Sequence, residues 1–206
     1  MSHDVTLALV RTVPTLLWIV LIISLILIFR KPILNNLIPR MTGIKAFGVE
    51  ATFVKEQLDR AADKGNAGSE QNRTQVARRA ERLSPIIKGS HVLWVNDVPQ
   101  EVHHVIRILE SLNIKVTVAK STSEALDIMS RVPLDVVISD MVRENNDREG
   151  IDFLEESIRQ GLHVPTIFAV GAYDPERGTP PHAFGITDRV DELMNLIFDV
   201  LERKRG

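Results

Sequence analysis

After Ser90 the chain alternates short apolar runs with amphipathic ones, and that alternation restricts the fold more than any single motif does. VLWV (92–95), VVIS (136–139) and TIFAV (166–170) are strand-length and almost wholly apolar; IKVTVA (114–119) and FGIT (184–187) are weaker strands. Between them lie helical runs: 99–112, with Val102, Val105, Ile106, Leu109 and Leu112 on one face; 123–132; 151–160; and 190–201, with Leu193, Met194, Ile197 and Leu201. Strands buried on both faces lose the polar alternation of a half-exposed sheet. Five of them separated by helices predict an α/β, doubly wound parallel sheet with right-handed crossovers.

In such open sheets ligands gather at the carboxyl ends of the strands. The residues there are Asn96-Asp97, Asp140, Gly171-Ala172 and Asp188-Arg189. Asp97 and Asp140 end the first and third strands, which are neighbours in the flavodoxin-like order 2-1-3-4-5, so the two carboxylates are expected to face each other. Trp94, inside the first strand, reads as core.

Upstream, residues 12–29 (TVPTLLWIVLIISLILIF) carry no charge. As a helix these eighteen residues cover about 27 Å, close to the hydrocarbon thickness of a bilayer. Pro14 sits in the first turn, where its missing N–H costs nothing, and Arg30-Lys31 closes the run. The run exceeds the apolar core of a secretory signal and no small-x-small cleavage site follows, so a single uncleaved transmembrane helix is expected. Arg30, Lys31, Arg40 and Lys45 after it, against Arg11 and the α-amino group before it, predict a single-pass inner-membrane protein with its N-terminus outside and its C-terminal domain cytoplasmic.

Residues 33–45 suit either a segment lying on anionic headgroups or a plain juxtamembrane linker. Phe47, Val49, Ala51 and Phe53 alternate with polar residues or glycine, which predicts a strand over 47–54 that needs a partner within the chain or in a second copy. FVKEQLDRAADKG then reads as a helix, GNAGSEQN as a polar linker and 73–83 as a docked entry helix with Val76, Ala80 and Leu83 on one face. The expected organisation is an anchor over 1–31, a neck with one strand and a short helix over 32–64, a linker and entry helix over 65–89, and the α/β domain over 90–206.

Charge divides along the same line: residues 1–90 carry 13 Lys/Arg against 7 Asp/Glu, and 91–206 carry 12 against 20. The acidic half is a poor binder of phosphate backbones, so no nucleic-acid partner is expected. Cysteine is absent, which removes disulfides, thiolate metal sites and cysteine nucleophiles.

Residues 91–206 resemble the receiver domain of bacterial response regulators. In that family an acidic pair after the first strand holds Mg²⁺, an Asp after the third accepts a phosphoryl group, a Ser/Thr after the fourth contacts the phosphate, and a Lys-Pro follows the fifth. VLWVND places Asn96-Asp97 at the acidic pair, LDVVISDM places Asp140 at the phosphoacceptor, and EGIDFL (149–154) resembles the glycine-led start of the third receiver helix. The resemblance implies Mg²⁺ as cofactor, held by Asp97, Asp140 and the main-chain carbonyl of Val142, and a histidine kinase as partner. SPIIKGSHVLWVND also resembles a group of membrane-anchored bacterial proteins with a receiver-like domain, some associated with antiphage defence.

Three departures mark the resemblance as one to a degenerate receiver. Asn96 replaces an acid, Val170 stands where the hydroxyl belongs, and Arg189-Val190 replaces Lys-Pro. An Arg keeps the charge but not the point geometry of an ammonium. Pro175, Pro180 and Pro181 break most helical registers between the fourth and fifth strands.

No glycine-rich phosphate loop follows the first strand, there is no nucleophile elbow, and His103-His104 point about 100° apart on a helix, so they cannot chelate together. A nucleotide-processing enzyme is therefore the weakest reading, and no catalytic residue is assigned. The leading reading is a membrane-anchored signalling module acting through a protein partner or self-association. Its alternatives are a phospho-accepting receiver with Asp140 modified and Arg189 neutralising the added charge, and a membrane effector of a bacterial defence system.

Overall fold

His91–Val95 (β1) and Val136–Ser139 (β3) are the strands with the most continuous apolar runs, and they occupy the middle of the sheet, where both faces are covered. Lys115–Ala119 (β2) lies at one edge; Thr166–Ala169 (β4) and the three-residue Gly185–Thr187 (β5) complete the other side. All pairings are parallel, in the order β2-β1-β3-β4-β5 expected from the sequence. Three helices lie between them, Pro99–Ser111, Thr122–Arg131 and Glu149–Arg159, and Val190–Arg205 follows β5, all within a few residues of the expected ranges. The computed structural model describes residues 48–205 except 64, 66, 144, 145 and 177, all within one compact unit.

Two helices precede β1: α1 (Val49–Ala62) and α2 (Glu70–Ile87). In chain order the later helices are then α3 (Pro99–Ser111), α4 (Thr122–Arg131), α5 (Glu149–Arg159) and α6 (Val190–Arg205). Strand alternation sorts the core. Val92, Trp94, Val136 and Ile138 face α3 and α6, whereas Leu93, Val95 and Val137 face Ala125 and Met129 of α4 and Phe153 of α5. On the α3/α6 side, α1 and α2 form a hairpin that adds a further layer: α2 packs along α6, and α1 touches α2, α3 and α6.

The strand expected over 47–54 is not formed; residues 49–54 are the first turns of α1. Period two fits only a short window there, while Ala51, Val54, Leu58 and Ala61 recur at helical spacing and are all buried. Gly48 N–H donates to Glu81 Oε1 at 2.7 Å and Ser84 Oγ donates to Glu50 Oε2 at 3.2 Å, tying the start of α1 to α2. With no strand there, the offer of an edge to a second copy falls away.

The polar stretch after α1 is the bend of this hairpin, and α2 begins within it at Glu70, capped by Ser69 Oγ accepting from Asn72 N–H. The span at 12–29 and the neck at 33–45 lie outside the described residues. Among the described residues no helix is long and apolar enough to cross a membrane. Between β4 and β5 no helix forms among the described residues, and Gly178 and Ala183 N–H groups close turns onto the Pro175 and Pro180 carbonyls.

Candidate functional site

Each strand delivers its last residues to one edge of the sheet, and five of them line a cavity of about 240 Å³: Trp94, Asn96, Asp140, Val170 and Thr187, with Arg189 just beyond β5. Asn96 is 4% exposed, and its side chain serves the fold: Oδ1 accepts from Val98 N–H at 2.7 Å, turning the chain into α3, where Pro99 occupies the first turn. Val170 N–H donates to Thr187 O at 3.0 Å, and its side chain brings no hydroxyl to the cavity.

Asp140 is half-buried at the end of β3, and its Oδ1 accepts from Val142 N–H at 3.3 Å. Burial pushes its carboxyl above the ordinary value, and the Asp97 charge adds to that. The Val142 and Met141 N–H groups and the Arg143 guanidinium pull the other way without prevailing. Of the two carboxylates expected to face each other, the effect is resolved at Asp140, whose ionisation the Asp97 charge disfavours.

Arg143 was not singled out by sequence reasoning, because it sits in the charged run MVRENNDRE, which reads as a solvated loop. It is 2% exposed. Its Nη1 donates to Ser139 Oγ at 2.7 Å and to the Asp140 carbonyl, and its Nη2 to Thr122 Oγ1 at 3.0 Å and Glu149 O at 3.3 Å. The guanidinium also lies 5.8 Å from the centroid of the Phe153 ring. Thr122 Oγ1 donates in turn to Glu149 Oε1 at 2.7 Å, so the loop after Asp140 is pinned to the starts of α4 and α5.

Gly150 closes the same corner. A Cβ there would stand 2.6 Å from the Asp140 carbonyl oxygen and 2.7 Å from Met141 Cα, which explains the glycine in EGIDFL. Arg189, read as the cation for a charge added at Asp140, is engaged elsewhere: its Nη2 lies 3.2 Å from Asp191 Oδ2 and its Nε donates to Asp191 Oδ1 at 3.3 Å. The cation whose field lowers the Asp140 pKa is Arg143. Asp191, 1% exposed, was likewise missed, since an acid in the first turn of a helix is ordinary.

Of the donors expected for Mg²⁺, Asp140 lines the cavity while Asp97 and Val142 are not among its lining residues, and the Asn96 oxygen is spent on Val98 N–H. A Mg²⁺ ion keeps several waters and uses one or two carboxylates, and Asp140 would be one of them. Among the described residues no three His, Asp or Glu side chains gather as a metal cluster.

No family model and no curated protein matches the chain. Among solved structures, the receiver domain of a Francisella response regulator is similar at 22% identity and a TM-score of 0.48, covering 56% of this chain and 99% of that one. A response regulator receiver domain protein from Clostridium thermocellum is similar at 24% identity and a TM-score of 0.48, over 56% and 96% of the two chains. The response regulator TrrA of Thermotoga maritima, solved in complex with Mg²⁺-BeF, is similar at 18% identity and a TM-score of 0.45, over 54% and 98%.

Proposed function

We propose that the chain is a membrane-anchored, receiver-like signalling module whose strand-end site is degenerate and which acts through protein–protein contact or self-association at the cytoplasmic face. One observation carries this reading: the groups around Asp140 that would read a phosphoryl group are committed elsewhere or absent. The Asn96 oxygen is taken by Val98 N–H, Val170 supplies no hydroxyl, and Arg189 is held by Asp191. Residues 12–29 supply the anchor in this reading, and confinement to a surface raises the effective concentration of weakly associating modules.

The second reading, a phospho-accepting receiver, is favoured by Asp140 itself, which lines a solvent-open cavity at a strand end. An Asp140 oxygen would attack a phosphohistidine or acyl phosphate donor, forming the aspartyl O–P bond as the donor bond breaks. Bound Mg²⁺ on Asp97, Asp140 and the Val142 carbonyl would supply charge neutralisation.

The test uses the full-length chain in detergent: Mg²⁺ titration, then intact mass after incubation with acetyl phosphate, with Asp140→Asn as control. The degenerate module shows neither saturable Mg²⁺ binding nor an Asp140-dependent adduct. An adduct lost in Asp140→Asn overturns that reading in favour of the phospho-switch.

A further inference from the structure

The Arg189 pair with Asp191 has a third member. Asp191 Oδ1, while receiving Arg189 Nε, also accepts from Gly68 N–H at 2.8 Å, and Gly68 lies in the bend between α1 and α2. The bend is held to both helices of the hairpin: Arg73 Nη1 donates to the Gly68 carbonyl, and Arg73 Nε donates to Asp59 Oδ1 at 2.7 Å. A displacement of the hairpin therefore takes Gly68 with it. On the other side, Arg189 and Asp140 line the same cavity, and the guanidinium that Asp191 retains belongs to the one Arg or Lys among the described lining residues.

From this geometry we infer that Asp191 is a positioning residue that withholds Arg189 from the strand-end site, and that the α1–α2 hairpin sets this state by capping Asp191. Asp191 is 1% exposed, and its oxygens receive the Gly68 N–H and the Arg189 guanidinium, the contacts that offset the cost of burying a carboxylate. When the bend moves away, water reaches Asp191 and the pair becomes a solvent-exposed one, in which the attraction is small. Arg189, 44% exposed at its side chain and left, among the described residues, with only the exposed Glu192 carboxylate, 4.0 Å away, as an ion-pair partner, then turns to an anion in the cavity beside Asp140. The ligand class is an oxyanion of phosphate type, matched by a planar guanidinium.

This inference rests on the receiver-like reading of the site and changes one part of it: the silence of the site becomes a state imposed by the chain's own hairpin.

The test separates the latch from the anion site. In the full-length chain, Arg189→Gln removes one partner of Asp191, and amide hydrogen exchange over 67–72 is expected to quicken roughly tenfold while β1 and β3 stay protected. Unchanged exchange there overturns the latch whatever the site binds. Gly68→Ala displaces the bend without altering any charge, since its Cβ would meet Asp191 Oδ2 at 2.6 Å. Titration with inorganic phosphate in the presence of Mg²⁺ is expected to show roughly tenfold tighter binding in Gly68→Ala than in the unaltered chain, the worth of one charge-assisted contact. The gain is expected to vanish in the Gly68→Ala/Arg189→Gln pair. Quickened exchange without any gain in Gly68→Ala overturns the inference, as does a gain that survives the loss of Arg189. Asp191→Asn gives a second route: a merely structural role predicts lower stability and weaker binding, whereas the latch predicts tighter binding.

Discussion

Replacing Gly150 by alanine sets two effects against each other. Alanine is the better helix former, by at most about 1 kcal/mol, and Gly150 is the second residue of α5. Against this, the new Cβ meets the Asp140 carbonyl oxygen at 2.6 Å, Met141 Cα at 2.7 Å and Phe168 Cε1 at 2.9 Å. Two of these are backbone atoms of the turn after β3, and that turn cannot swing aside: Gly150 N–H donates to Met141 O at 3.0 Å and Arg143 binds the Asp140 carbonyl from below. Overpacking a fixed site costs about 1–3 kcal/mol, so the steric term wins and the expected net loss is about 1–2 kcal/mol. For a unit of this size that lowers Tm by roughly 2–8 °C. Urea denaturation with an unchanged m-value measures the loss, and the NMR titration of Asp140 reports whether the turn has moved. A Gly150→Ala chain as stable as the parent, with Asp140 titrating as before, would refute the argument that this turn is rigid.

Two further substitutions probe the charge around Asp140. Arg143→Met keeps the buried length but leaves Ser139 Oγ, the Asp140 and Glu149 carbonyls and Thr122 Oγ1 short of a donor, and about 2–4 kcal/mol of stability is expected to be lost. Because the Arg143 charge favours the ionised carboxylate, Asp140 is expected to titrate higher still in that variant; an unmoved NMR titration would sink the assignment. Asp140→Asn is expected to stabilise the fold at pH 7. The folded-state pKa of Asp140 is raised, so its ionised form disfavours folding above that value, and the advantage of the amide closes as pH falls through it toward the ordinary carboxylate range of about 4. Paired urea melts at neutral and acidic pH give the difference; a gap that widens on acidification contradicts the sign.

The α/β domain was legible because its strands are buried on both faces: VLWV and VVIS admit few other uses, and the helices between them carry single apolar stripes. Residues 47–53 misled because a window of seven cannot separate period two from period 3.6 when a glycine and a threonine fall between apolar residues. The arbiter lies farther on, at Leu58 and Ala61, and across the hairpin at Leu83 and Ile87. At the site, Asp97, Asp140 and Asn96 were legible as strand ends, since parallel topology alone brings them together. Arg143, Asp191 and Gly68 were not, because their roles depend on what lies across the fold: Gly68 and Asp191 are 123 residues apart in the chain.

The two arginines near Asp140 show why the site is neither an ordinary acidic pocket nor a neutralised one. Strand alternation aims Asn96 and Asp140 toward the α3/α6 side, whereas Arg143 folds beneath the turn onto Phe153 on the opposite side. Its charge reaches Asp140 through the turn, but its Nη1 and Nη2 groups are engaged by Ser139, Thr122 and two carbonyls. Arg143 is thus fixed, and it stabilises the loop whatever occupies the cavity. Arg189 is the arginine whose partner can change, because the Asp191 that holds it is itself bonded by Gly68 of the hairpin, a different part of the chain. With Arg189 withheld, Asp97 and Asp140 repel each other and burial keeps the Asp140 carboxyl raised, a state that favours a proton or a cation over an anion. With Arg189 released, the balance at the mouth of the cavity shifts by a full positive charge. The position of the α1–α2 hairpin therefore decides which sign of ligand the strand ends accept.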